Sequence, residues 1–218
     1  DLHNLAYQGI FDKSVMNELA LNWEACFKYN GIEYFDSVNF LKAGINYSDA
    51  ITTVSASYAQ EIQTPLFGCG LDETLKSNSH KLMGIVNGIS TEVFNPKTDE
   101  YLYNNYDQES LKDKKINKTK LLKLFNLQES SKALFVFVGR FTHQKGVDLL
   151  LESLPILKDF DANFIILGEG EPYYNERFKQ VQHQYSSIHI EVGYNEELSR
   201  KLYAAADFLL MPSTFEPC

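Results

Sequence analysis

From residue 133 to the end, short apolar runs alternate with segments of helical periodicity, and no other feature constrains the fold as tightly. Residues 134–138, 163–167, 188–192 and 208–211 are largely apolar and rich in β-branched or aromatic side chains, so they read as buried strands. Residues 149–157, the stretch through Phe178, Val181 and Gln182, and residues 198–206 carry the spacing of amphipathic helices. Single helices between such strands make right-handed βαβ units on a parallel sheet, and the expected class is α/β. Each expected strand runs into a glycine or a polar residue: Gly139, Gly168-Glu169-Gly170, Gly193-Tyr194, Pro212-Ser213. Loops at the carboxyl ends of a parallel sheet share one edge, where open α/β sheets bind ligands. Arg140, Lys145, Gly168, Tyr194, Ser213 and Glu216 are therefore expected to face a common crevice.

The first of these loops, Gly139-Arg140-Phe141-Thr142-His143-Gln144-Lys145-Gly146, places two cations ahead of a helix N-terminus. Taken alone it reads either as a diphosphate clamp or as a solvated loop. Arg140 is the only one of three arginines at a strand's carboxyl end, the others being Arg177 and Arg200. Two cations, several glycines, a tyrosine able to stack on a base and a carboxylate in one crevice suit a nucleotide-linked substrate. No G-x-G-x-x-G lies between a strand and a helix, and no Walker lysine motif occurs. Dinucleotide oxidoreduction and phosphoryl transfer are disfavoured accordingly.

Acidic residues outnumber basic ones, 29 to 20, for a net charge of -9. A phosphate backbone needs a positive field, so nucleic acid is not an expected partner. Cys26, Cys69 and Cys218 are an odd number without a C-x-x-C pair, which argues against a disulfide framework or a zinc site and suits a reducing compartment. No apolar run approaches the roughly 20 residues that span a bilayer, and no membrane partner is expected.

The first half is less regular. Residues 3–9 read as a loop leaving a strand, where a histidine such as His3 is more often solvated than catalytic. Ser37 is a plausible N-cap for a helix whose stripe runs from Phe40 to Tyr47. Residues 50–54 read as a strand, Ser55 or Ser57 as the next cap, and Pro65 as the stop. Residues 82–86 form a further strand, closed by Asn87-Gly88. The domain linkage is placed near residues 86–96. Lys112, Lys114, Lys115, Lys118, Lys120 and Lys123 then read as a basic patch or, preferably, a solvated helix face.

Together these segments resemble one family. The loop from Gly139 to Gly146 and the downstream Pro212-Ser213-Thr214-Phe215-Glu216-Pro217-Cys218 are similar to bacterial glycogen synthase and plant starch synthase. His3-Asn4-Leu5-Ala6-Tyr7-Gln8-Gly9, Phe40-Leu41-Lys42-Ala43-Gly44, Ile51-Thr52-Thr53-Val54-Ser55 and Val86-Asn87-Gly88-Ile89 match the same family in the same order. The resemblance implies a GT-B fold, with parts of two Rossmann-like domains built on parallel sheets. Residues 1–86 are expected to end an N-terminal, acceptor-side domain. Residues 87–130 are expected to be linkage and a helical segment, and residues 131–218 to begin the C-terminal, nucleotide-sugar-binding domain.

The family's Lys-x-Gly-Gly motif is absent, and its members continue past the position of Cys218 with Gly-Leu, so an internal piece is expected. By itself such a piece is expected to be inactive and poorly soluble, because a cut sheet exposes its edges. The resemblance further implies a retaining glucosyltransferase that adds glucose from ADP-glucose to the non-reducing end of an α-1,4-glucan, with no metal and no cofactor. A GT-B transferase using UDP-glucose or another sugar nucleotide, or a non-catalytic glucan-binding module, are the alternatives. A bacterial cytoplasm is the preferred location, with a plastid stroma if the source is plant or algal.

By the same resemblance, Arg140 and Lys145 stabilise the departing diphosphate, more in the transition state than before it. Glu216 lies beside the glucosyl, unless it is only a loop carboxylate paired with Arg140. His3 contacts the sugar at the reacting centre, and Asn87 touches the substrate. Tyr194 packs on the adenine or is a packing residue. Cys218 matches a family cysteine near the active site, with nothing to mark it as a nucleophile.

Overall fold

The computed structural model describes residues 1–127 and 131–218. The chain divides into two compact units, Asp1–Gly88 with Pro217–Cys218, and Ile89–Glu216.

The first unit opens with strand β1 (Ile10–Asp12), followed by the short helices α1 (Val15–Glu18) and α2 (Trp23–Cys26). Strands β2 (Glu33–Tyr34) and β3 (Ser37–Asn39) complete an antiparallel sheet of order β1-β3-β2. Helix α3 (Phe40–Tyr47) follows without a loop. Ser37, expected as its cap, is instead a strand residue opposite Tyr34 and Asp12. The cap is Asn39, which accepts from the Lys42 N–H at 2.9 Å and donates its amide to Gln8 at 2.7 Å. Asparagine caps as well as serine, and β3 runs straight into the helix, so the cap falls at the strand's last residue.

Strand β4 (Ile51–Thr53), helix α4 (Ala56–Glu61), helix α5 (Asp72–Ser77) and strand β5 (Leu82–Gly84) complete this unit. Ser55 caps α4, accepting from the Tyr58 N–H. β4 and β5 pair in parallel, and Leu2 adds an isolated parallel bridge to Thr53. The strand expected over 82–86 ends at Gly84. Leu2, Leu5, Ile45, Ile51, Val54, Tyr58, Ile62, Leu71 and Leu75 form the larger core, and Met16, Ile32 and Val38 a smaller one.

The second unit is the more regular. Helix α6 (Lys114–Leu124) precedes β6 (Ala133–Val138), α7 (Val147–Leu157), β7 (Ala162–Gly168), α8 (Pro172–Val181), β8 (Ile188–Val192), α9 (Glu196–Ala205) and β9 (Phe208–Leu209). The sheet is parallel throughout, in the order β8-β7-β6-β9. The chain thus builds outward from β6 through β7 to β8, then crosses to the other side of β6. β9 is shorter than the strand expected over 208–211, its last residue in register with β6 being Leu209.

Alternate residues of β6 feed two cores. Phe137 packs with Phe164, Ile166, Leu150, Leu154 and Phe178 on the side of α7 and α8. Leu134 and Val136 pack with Leu121, Leu122, Leu198 and Leu202 on the side of α6 and α9. Every residue of β7 is buried, as a central parallel strand requires.

The lysine-rich helix is only partly a solvated face. Lys112, Lys115, Lys120 and Lys123 are exposed. Lys114 donates to the Ala206 carbonyl, and Lys118 to the Lys132 carbonyl and to Asp207. Asp207 also accepts the Leu134 N–H at 2.7 Å. These bonds tie the start of β6 to the start of β9.

Candidate functional site

Three adjacent strands run into glycine. Gly139 follows β6, Gly168 ends β7 and Gly193 follows β8. A Cβ on Gly168 would lie 2.0 Å from the Gly139 carbonyl oxygen, so these strand ends approach too closely for a side chain there. The glycines help floor a cavity of about 440 Å³, also lined by Arg140, Leu167, Glu169, Tyr194, Asn195 and Ser199. Tyr194 is 78% exposed, so its ring is no part of the core. Asn195 caps α9, accepting the Leu198 N–H at 2.9 Å, and this fixes where the helix starts beside Tyr194.

Phe141 anchors the loop between β6 and α7. Its ring is fully buried against Phe178, with centroids 4.3 Å apart. Its backbone N–H donates to the Glu169 carbonyl, and its carbonyl accepts the Glu171 N–H. Beyond it, His143–Lys145 forms one turn of 3₁₀ helix, ending at Gly146 with φ +68°.

This turn is bonded to the loop that follows β9. The Thr214 N–H donates to the Gln144 carbonyl at 2.9 Å, and the Gln144 amide reaches the Phe215 carbonyl at 3.3 Å. The Lys145 ammonium lies 2.6 Å from Glu216 Oε1, and the Ser213 hydroxyl donates to the same oxygen at 2.6 Å. β6 and β9 lie side by side, and at β6 the strand order reverses. The paired loops therefore occupy the crevice at the topological switch point of the sheet.

The electrostatics keep Glu216 ionised. Burial raises its carboxyl, but the hydrogen bonds from Lys145 and Ser213 and the charges of Lys145 and Arg140 outweigh burial, and the net shift is downward. Glu216 is thus paired with Lys145, while Arg140 acts on it as a nearby charge without a direct bond. Arg140, Gly168 and Tyr194 line one cavity, and Lys145, Ser213 and Glu216 form one hydrogen-bonded group.

Three side chains to which the sequence assigns no role, His143, Asp148 and Tyr174, support the turn. His143 Nδ1 is 2.7 Å from Asp148 Oδ2, and the Tyr174 hydroxyl donates to the same oxygen at 3.0 Å. The His143 hydrogen bond, followed by that of Tyr174, lowers the Asp148 carboxyl despite some desolvation. The only signal in the sequence is the placement of His143 and Asp148 on either side of Gly146.

His3, Asn87 and Cys218 belong to the first unit. His3 is exposed, with Nε2 2.8 Å from the Asp1 carboxylate. Asn87 is exposed, and Cys218 is an exposed free thiol. Among the described residues, no group of three or more His, Cys, Asp or Glu side chains is placed to hold a metal ion. No helix among them is long and apolar enough to cross a membrane.

Comparison with known proteins adds an independent line. A family profile described as "Starch synthase catalytic domain" matches residues 1–77, and one described as "Glycosyl transferases group 1" matches residues 132–218. Glycogen synthase of Myxococcus xanthus is 45% identical over the whole chain, which covers 46% of that relative. Glycogen synthase of Desulforudis audaxviator is 42% identical over the whole chain, which covers 43% of it. The catalytic domain of Starch Synthase IV from Arabidopsis thaliana, solved bound to ADP and acarbose, superposes with a TM-score of 0.92 at 34% identity. That match takes in 99% of this chain and 46% of the other. The chain therefore spans about half the length of the relatives it matches.

Proposed function

We propose, on the premise that this GT-B-type chain resembles the glycogen and starch synthases from end to end, that it is part of a retaining glucosyltransferase. The reaction we assign moves glucose from ADP-glucose to the non-reducing end of an α-1,4-glucan. The observation that carries this reading is the Glu216 carboxylate hydrogen-bonded to Lys145 and Ser213, at the sheet's switch point. An Arabidopsis relative solved with ADP and acarbose supports the same donor and acceptor classes.

In this reading the diphosphate lies at the loop after β6, where Arg140 and Lys145 take up the charge that gathers on the leaving group. That charge is larger in the transition state than in the bound donor, so the cations favour the chemical step over ground-state binding. Glu216 faces the glucosyl, orients its hydroxyls and offsets the positive charge that develops on the sugar. The acceptor hydroxyl attacks from the leaving-group side and passes its proton to a diphosphate oxygen, so no covalent carboxylate intermediate is required. Tyr194, on the cavity's rim, packs against the adenine. The roles proposed for His3, Asn87 and Cys218 rest on the resemblance alone.

The test uses the full-length protein with glycogen and either ADP-glucose or UDP-glucose, following nucleoside diphosphate release. Release from ADP-glucose that depends on glycogen and is lost in Glu216→Ala is expected. Release from UDP-glucose only would move the protein to another donor class. Release from neither would overturn the catalytic reading.

A further inference from the structure

Glu216 Oε1 accepts two hydrogen bonds, one from the Lys145 ammonium and one from the Ser213 hydroxyl, each at 2.6 Å. The side chains of Lys145 and Glu216 are 24% and 29% exposed, so water screens this pair less than it would on an open surface. A charge-assisted bond in such a setting is among the stronger contacts in the loop. A diphosphate oxygen brought to Lys145 must compete with Glu216 for the same cation.

The backbone does not depend on that ion pair. The Thr214 N–H on the Gln144 carbonyl and the Gln144 amide on the Phe215 carbonyl hold the two loops together independently. Lys145 can therefore turn away from Glu216 while both loops stay in place. The carboxylate is then released toward the sugar, and the Ser213 hydroxyl is the remaining donor on Oε1.

We propose that Lys145 is exchanged between Glu216 and the donor's diphosphate, and that Ser213 is the positioning residue that holds Glu216 through the exchange. This rests on the donor reading above. Two consequences distinguish it from a merely structural ion pair. Glu216 opposes binding of the nucleoside diphosphate product, so removing its charge should tighten that binding while abolishing transfer. Ser213 acts on the carboxylate alone, so removing its hydroxyl should lower turnover without weakening the nucleotide.

The experiment is calorimetric titration of ADP into the full-length protein and its Glu216→Gln, Glu216→Ala, Ser213→Ala and Ser213→Thr variants. A melting curve for each variant checks that it is folded. Both Glu216 variants are expected to bind ADP about three- to tenfold tighter than wild type. Ser213→Ala is expected to lower kcat about tenfold with the ADP Kd within about twofold, and Ser213→Thr to restore kcat. ADP binding by folded Glu216 variants that equals or falls below wild type overturns the exchange. Unchanged kcat in Ser213→Ala overturns the positioning role. If folded wild type binds no ADP, this proposal and the donor reading fall together.

Discussion

Gly146 lies so close to Pro212 that a Cβ placed on it would fall 2.0 Å from the Pro212 carbonyl oxygen. Its φ of +68° lies in the left-handed region as well. Two separate demands, backbone conformation and close approach, therefore fall on one residue. Gly146 is also where the turn carrying Lys145 meets the loop carrying Ser213 and Glu216. Gly146→Ala is expected to destabilise the second unit by about 2 kcal/mol or more, from left-handed strain plus a clash with backbone. Urea unfolding measures that loss, and ADP titration of the folded variant measures the site. Unchanged stability and ADP affinity together would mean the close approach sets nothing.

The second unit is legible because its strands are apolar runs, with β7 buried along its whole length and β6 feeding a core on each face. The edge strand β9 is shorter than its apolar run because the pairing with β6 closes with the Leu210 N–H on the Val136 carbonyl, and Met211 extends the run beyond it. The antiparallel sheet of the first unit was not legible. Its strands are two or three residues long, and the turn joining β2 to β3 is made by Phe35 and Asp36, both with positive φ. Such turns usually advertise themselves with Asn-Gly or Asp-Gly, and this one carries an aromatic instead. At the site, chain order and strand ends brought Arg140, Lys145, Ser213 and Glu216 to one edge. Periodicity does not encode which cation Glu216 takes, because Lys145 and Arg140 are near neighbours on one loop and only the 3₁₀ turn decides between them. Phe141 read as a loop residue, yet it is the fully buried side chain that fixes the loop to the core.

Tyr174 contributes to the pH dependence of stability at the alkaline end, where burial also raises the Tyr58, Tyr106 and Tyr203 hydroxyls. Burial, then the hydrogen bond to and the charge of Asp148, push the Tyr174 hydroxyl up to about 12 from an ordinary 10. A raised value means the folded state keeps the proton longer than the unfolded chain. The resulting stability is fully present below pH 10 and is lost as pH rises from there through about 12. Tyr174→Phe keeps the ring but removes the proton, so its unfolding free energy should fall less steeply than wild type across that window. The measurement is denaturant unfolding at successive pH values for both proteins. Parallel curves would show that Tyr174 does not titrate with the Asp148 bond.

Tyr194 offers a clean separation of binding from folding. At 78% exposed, its ring contributes little to the core, and its backbone follows Gly193 at the floor of the cavity. Removing the ring should therefore leave stability within about 0.5 kcal/mol of wild type, as for most surface changes. If the adenine packs on it, Tyr194→Ala forfeits a base–aromatic stack worth about 1–3 kcal/mol. ADP binding should weaken about fivefold or more, while Tyr194→Phe, which keeps the stacking face, should stay near wild type. Calorimetry on the full-length protein with ADP, and with UDP as a smaller-ringed control, reads both effects. A Tyr194→Ala variant that melts normally and binds ADP as tightly as wild type would remove the tyrosine from the site. A variant that melts early would return its ring to a structural role.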